Sequence, residues 1–352
     1  MRGLARLATL WTRPRPVVGA TPADEVHHEN KWRLMRFRPR AAGARFRTPI
    51  LLVPSLINRH YVLDLMPGKS FAEFLVGEGH DVWVVEWGTP GDEDRHVGLD
   101  DVCDRTLGRA LGIAARASGA RGAHLFGYCM GGTIAAIHAA ARPERVASLT
   151  LVAAPVRFSD GGLLSAWART PSFDVAVMVR ALGNVPWPLM QSAFHLLRPT
   201  LALQKAVHLV ERAWDDEFLD GFFALETWGN DNVSLPGAFY VSWIEELYRR
   251  DALANGTLVL SGRPARLESI ACPLLAVTFE HDNIVPWPTA ALVMDRVASP
   301  DRERIHLPGG HVGAMVSRSA KATLWPKLSG WWAARDQSVV RRRRARTGTS
   351  RK

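Results

Sequence analysis

The 352-residue chain has only three cysteines, Cys103, Cys129 and Cys272, with no C-x-x-C pair among them. That scarcity excludes a disulfide scaffold and a cysteine-built metal centre, and it suits a reducing compartment. No apolar run approaches the roughly 18 residues that a membrane-spanning helix needs. The first sixteen residues are basic, but Arg6 and Arg13 interrupt the apolar ones and prolines follow, so the h-region of a secretory signal is missing as well. A cytoplasmic protein is expected. Internal repeats and low-complexity tracts are absent between the termini, and so is any basic patch that would mark a specific nucleic-acid site. Of the net charge of +10, seven positive charges fall in the last twelve residues, from Arg341 to Lys352. They read as a solvated tail able to attract an anionic surface.

Core material, by contrast, is plentiful. An apolar fraction of 47% with thirteen tryptophans is enough for a large core without disulfide or metal support. From Pro49 short apolar runs alternate with helical patterns. The runs are Ile50–Val53, Asp81–Glu86, Ala123–Phe126 and Val146–Val152, and the helices are Phe71–Glu78, Leu99–Ala117 and Met130–Ala141. Strands that are apolar on both faces and separated by helices indicate a parallel sheet. Between Val156 and Ile270 the strand pattern lapses into Trp-, Phe- and Leu-rich helical spacing. Strands resume at Leu274–Phe279 and Ile305–Leu307, with helices at Ala290–Val297 and Lys321–Trp332. A mainly parallel sheet interrupted by helices and then resumed predicts an α/β-hydrolase core with an inserted helical cap. The expected division is a basic segment (1–20), a first part of the core (21–155), the cap (156–270), a second part of the core (271–337) and a disordered basic tail (338–352).

The stretch Phe126-Gly127-Tyr128-Cys129-Met130-Gly131-Gly132 ends a strand in G-x-C-x-G and opens a small-residue helix. This is the pattern of a nucleophile elbow, in which flanking glycines let a strained turn lift the reactive side chain off the sheet. Cys129 is the candidate nucleophile; Cys103 and Cys272 read as small core residues. Two later strands end in suitable partners. After Leu274–Phe279 comes Glu280-His281-Asp282-Asn283, where Asp282 is the preferred orienting acid and Glu280 its competitor. After the last strand, glycines flank His311, the candidate general base. The order nucleophile, acid, histidine is that of α/β-hydrolases. His124, within the elbow strand, reads as packing. An oxyanion hole would take one amide from Met130 and a second from the loop Pro54–Arg59, at Leu56 or Ile57, with Ser55 and Asn58 holding that loop's shape.

Several longer stretches carry a resemblance. They are VHHENKWRLMRFRP (26–39), PILLVPSLINRHYVLDL (49–65), FGYCMGGT, ETWGNDNVSLPGAFY (226–240), HDNIVPWPTA (281–290) and GGHVGAMVS (309–317). Over roughly residues 21–335 the chain resembles polyhydroxyalkanoate synthases, in particular the short class that works with a second subunit. The family's catalytic Cys, Asp and His fall on Cys129, Asp282 and His311. The resemblance implies transfer of a 3-hydroxyacyl group from coenzyme A to the cysteine and on to a growing polyester chain. It implies no cofactor beyond the coenzyme A thioester substrate. The partners it suggests are a second synthase subunit, a homodimer or hetero-oligomer, and a polymer granule surface. Two departures stand out: many relatives carry histidine where this chain has Asn283, and the long N-terminal extension of the larger classes is absent. A thioesterase or dienelactone-hydrolase-like cysteine hydrolase shares the elbow and triad but lacks a long cap. A granule-associated homologue with little turnover is the non-enzymatic alternative.

Overall fold

Alternate side chains of a strand point to opposite faces, so a wholly apolar strand needs cover on both sides. The computed structural model, which describes residues 13–336 apart from 42, 161, 198 and 199, provides it. The basic tail and most of the N-terminal segment lie outside the described residues. In chain order the strands are β1 (Ala23–Glu29), β2 (Trp32–Phe37), β3 (Ile50–Val53), β4 (Val82–Glu86), β5 (Ala123–Tyr128) and β6 (Val146–Val152). A separate two-residue ribbon, β7 (Val259–Leu260) and β8 (Arg263–Pro264), precedes β9 (Leu274–Phe279) and β10 (Arg302–Leu307). Eight of them form one sheet in the order β1-β2-β4-β3-β5-β6-β9-β10. Pairing is parallel from β4 through β10 and antiparallel at the β1–β2–β4 end. On β3, Leu51 and Val53 face one hydrophobic layer and Ile50 and Leu52 the other.

The helices flanking the sheet are α1 (Phe71–Glu78), α2 (Leu107–Ala117) and α3 (Met130–Ala141). Ser70 caps α1 by accepting the Glu73 amide, and Gly79 ends it with φ +92°. Helix α3 is made of small residues and is buried along nearly its whole length, which lets it lie close against the sheet. Between β6 and β9 the chain forms α4 (Leu163–Arg169), α5 (Val175–Leu182), α6 (Trp187–Leu197), α7 (Leu201–Glu211), α8 (Asp216–Asn230) and α9 (Gly237–Ser242), here called the cap. Helix α10 (Trp325–Ala334) returns to the sheet, where Trp325 and Trp332 pack around Phe71 and Phe126.

The sheet starts earlier than the alternation that begins at Pro49. The β1–β2 hairpin escapes that pattern because β1 is half exposed and carries charged and histidine side chains, so no apolar run announces it. Strand β10 likewise begins at Arg302 rather than Ile305, since an edge strand tolerates Arg302, Glu303 and Arg304. The elbow strand runs on to Tyr128. The helix expected over Leu99–Ala117 opens with π-type turns at Asp101–Thr106, and the one over Ala290–Val297 divides into Trp287–Ala291 and Val293–Arg296.

Candidate active site

Cys129 stands at the junction of β5 and α3 with φ +56° and ψ −130°, a sparsely populated conformation for a residue with a side chain. The surroundings fix it there. Its amide donates to the Val152 carbonyl at 3.0 Å, and its own carbonyl accepts the Gly132 amide at 2.9 Å. The elbow glycines leave no slack: a Cβ on Gly131 would sit 2.1 Å from the Val53 carbonyl oxygen, and one on Gly127 would sit 2.4 Å from the Gly132 Cα. The start of α3 therefore lies directly over the end of β3, with its partial positive charge beside the Cys129 sulfur.

The neighbouring strand ends converge on that sulfur. His311 Nδ1 donates to Asp282 Oδ2 at 2.7 Å, with both side chains buried. The other carboxylate oxygen of Asp282 accepts the Ile284 and Val285 amides at 2.9 and 2.8 Å, which locks its orientation. The His311 ring and the Cys129 thiol line the same cavity. Burial disfavours the imidazolium, but the adjacent Cys129 and the Asp282 carboxylate outweigh it and hold the proton on His311 well above the usual imidazole range. Glu280, the competing acid, turns away to the edge strand, where its carboxylate meets His306 Nε2 at 2.6 Å.

A further contributor, Tyr128, has no signal of its own in the sequence beyond its place next to the nucleophile. Its hydroxyl donates to the His311 carbonyl at 3.0 Å and its ring stacks on the imidazole at 5.4 Å. The other two thiols differ from Cys129. Burial pushes the Cys103 thiol far up, and the half-buried Cys272 up to about 12, so neither ionises readily. His124 packs in the core against Ser148 at 2.7 Å, and burial, aided by the charge of His80, lowers it to about 3.

The loop after β3 brings Ile57 to the cavity that holds Cys129, whereas Leu56 lines a separate cavity beside Trp32 and Trp87. Ser55, at the start of that loop, is buried, and its hydroxyl makes no hydrogen bond to another protein group among the described residues. Asn58 shapes the loop, pairing with Asn232 across a short bridge where the Val233 amide donates to the Ile57 carbonyl at 3.0 Å. Nearby, Trp228 Nε1 donates to the Arg59 carbonyl at 2.9 Å and Tyr61 donates to Asp231 at 2.9 Å. Arg59 and His60 both reach Glu86 at the end of β4; burial opposes the Glu86 charge, but its contacts with His60 and Arg59 hold its carboxyl down at about 2. The segment Glu226–Tyr240 is thus a clamp on the Pro54–Arg59 loop, a role its Asn- and Asp-rich composition only hints at.

Three spaces meet around Cys129. A cavity of about 320 Å³ on the histidine side is lined by Asn58, Gln191, Asn232, Asn283 and His311. A narrow cleft of about 90 Å³ lies over the sulfur, and beyond it the cap forms an open pocket of about 390 Å³ with largely apolar walls. Among the described residues no cluster of three metal-ligating side chains occurs, and no helix is long and apolar enough to cross a membrane.

Comparison with known proteins places this arrangement. Residues 48–317 match the α/β-hydrolase fold model, and residues 16–75 match the model described as the N-terminus of poly-beta-hydroxybutyrate polymerase (PhaC). The chain is 35% identical over 323 residues to a poly(3-hydroxyalkanoate) polymerase subunit PhaC from Haloferax mediterranei, covering 91% of this chain and 65% of the relative. It is 33% identical to the subunit of the same description from Haloarcula marismortui (90% and 69% covered), and 32% identical to that from Allochromatium vinosum (89% and 88% covered). Among solved structures, a soluble variant of monoglyceride lipase from Saccharomyces cerevisiae superposes with a TM-score of 0.57 at 12% identity, over 92% of this chain and all of that one. A monoacylglycerol lipase from Paleococcus ferrophilus gives 0.55 at 18%, over 87% of this chain and all of that one. At these identities the structural likeness speaks to the fold alone.

Proposed function

Because this chain belongs to the poly(3-hydroxyalkanoate) polymerase family, acyltransferases on the α/β-hydrolase fold, we propose that Cys129, His311 and Asp282 carry its acyl transfer. The single observation behind this assignment is the buried Asp282–His311 pair set on the wall of the cavity that holds the elbow thiol. The substrate is a 3-hydroxyacyl-coenzyme A. His311 accepts the thiol proton, the sulfur attacks the thioester carbonyl, and the carbon–sulfur bond to coenzyme A breaks as the proton passes to the departing thiolate. In the second half, His311 takes the proton of an incoming hydroxyl. The hydroxyl oxygen bonds to the acyl carbon, and the Cys129 thiolate leaves. Exchange between thioesters is close to balanced in energy, so cysteine suits a cycle in which the acyl group must be gained and surrendered repeatedly.

The Met130 and Ile57 amides are the oxyanion donors in this reading. Ile57 is preferred to Leu56 because it borders the same cavity as Cys129. The apolar cap favours an alcohol over water as the second nucleophile. Among the described residues, eleven of the fifteen exposed large apolar side chains lie between Leu163 and Trp214, so the outer cap is the face suited to a polymer granule or a second subunit.

The test is direct. The full chain given 3-hydroxybutyryl-coenzyme A should release coenzyme A and form insoluble polyester, and Cys129→Ala should do neither. Free 3-hydroxy acid as the only product would make the enzyme a thioesterase instead. A Cys129→Ala protein that releases coenzyme A at the native rate would refute the assignment altogether.

A further inference from the structure

The two large cavities on either side of the Cys129 cleft differ in chemistry, and the difference gives the bound substrate a direction. The histidine-side cavity is the more polar: the Asn58, Asn232 and Gln191 donors are taken by Asn232, the Gly229 carbonyl and Asn230, which leaves the Asn58 and Gln191 side-chain oxygens and the Asn283 amide to meet a chain of amides and hydroxyls such as the arm of coenzyme A. The cap cavity presents Trp167, Phe173, Met178, Met190, Ala193 and Ile244. Of its few polar side chains, the Thr170 hydroxyl is already spent on the Ala166 carbonyl.

The cap cavity is not isolated from the reacting sulfur. Ile57, Met130, Leu164, Phe194, Trp243 and Tyr248 form walls of both the cavity and the cleft over Cys129. A group attached at the third carbon of a Cys129-bound acyl unit can therefore extend straight into it. A growing polyester, with an ester oxygen pair in every repeat, is a poorer match for walls that offer so few hydrogen-bond donors. A plain hydrocarbon loses nothing there, and each methylene buried is worth about fourfold in binding.

Resting on the acyl-transfer reading above, we propose that the cap cavity is the pocket for the side chain of the 3-hydroxyacyl unit, and that it makes the enzyme competent for substrates with side chains of several carbons, such as 3-hydroxyoctanoyl-coenzyme A. The hydrocarbon enters between Leu164 and Phe194 while the coenzyme arm lies on the Asn58–Asn232 side.

The measurement is the ratio of kcat/KM for 3-hydroxyoctanoyl- to 3-hydroxybutyryl-coenzyme A, read as coenzyme A release by the full chain. The native ratio should be one or greater. Ala193→Phe, which fills the cavity from α6, should lower the ratio by about tenfold. Met190→Ala, which enlarges the cavity, should raise the ratio of the twelve-carbon to the eight-carbon substrate and serves as the test if Ala193→Phe does not fold. A native ratio below about one hundredth overturns the proposal. So does a ratio that neither variant moves, which would mean that the cavity holds polymer or nothing. Absence of turnover with every 3-hydroxyacyl-coenzyme A, by contrast, would strike the acyl-transfer reading itself and is told apart by the four-carbon substrate.

Discussion

The ends of the sheet and the cap above them are built to opposite rules. At the elbow the glycines are wedged: a Cβ on Gly127 or Gly131 would overlap neighbouring backbone atoms, and both carboxylate oxygens of Asp282 are spoken for. The cap leaves Leu163, Leu196, Leu203 and Val210 more than half exposed and forms a large, open, mostly apolar pocket. Reaction geometry is thus set where the chain has no freedom, and recognition is left to a part whose surface contributes little to the fold. Cavity-lining and surface residues of the cap can change without moving the nucleophile.

The sharpest way to break this contrast is at the sulfur. Cys129→Ala should cut coenzyme A release by at least about 10⁴-fold while leaving the thermal transition in place, and His311→Gln should lose as much activity but also lower the transition, because it leaves the buried Asp282 carboxylate without its partner. A wedged position should behave differently. Gly131→Ala forces a methyl into the Val53 carbonyl and should cost on the order of 3 kcal/mol or more, seen as a lower urea midpoint and reduced expression. If it proves neutral, the elbow is far less constrained than drawn here.

Glu86 tests the clamp between the two regions. Its carboxyl is held below the ordinary value of 4.5, so the stability it confers is complete above about pH 4.5 and is lost as the pH falls towards 2. Glu86→Gln should cost on the order of 2 kcal/mol at neutral pH, since it removes the carboxylate that His60 and Arg59 share while Arg59 keeps Asp231, and should flatten the decline between pH 4.5 and 3. Urea titrations at those pH values decide it. At the small end, Leu203→Glu on the outer cap should shift stability by less than about 0.5 kcal/mol, yet reduce recruitment to polyester particles in a sedimentation assay.

Much of the fold was readable because its middle strands are uniformly apolar. Ile50–Val53, Ala123–Phe126 and Leu274–Phe279 have one plausible environment, the inside of a parallel sheet. Edges were not readable for the complementary reason: β1 and the start of β10 are half wet and carry charges, so their pairing is decided by the sheet they join. The convergence of Cys129, Asp282 and His311 could be anticipated because strand ends in such a sheet all face one way. The choice between Leu56 and Ile57 could not, since both are buried and only the path of the loop, tied to Asn232 and Val233, separates them. Tyr128 was hidden by adjacency to the nucleophile, and Glu226–Tyr240 by the 170 or so residues separating it from the loop it grips.

Strands β6 and β9 lie side by side, with Leu149 opposite Leu274 and Val152 opposite Val277. The chain departs from the first and comes back on the second, so everything spoken between them is a parenthesis in the polypeptide. Because the two strands are parallel, it leaves at the carboxyl end of one and must cross back to the amino end of the next. Exchanging the outward side chains within it, between Leu163 and Trp214, leaves Glu226–Tyr240 on its loop and the sheet in register, and a lineage can therefore rewrite its appetite for substrates without relearning the reaction.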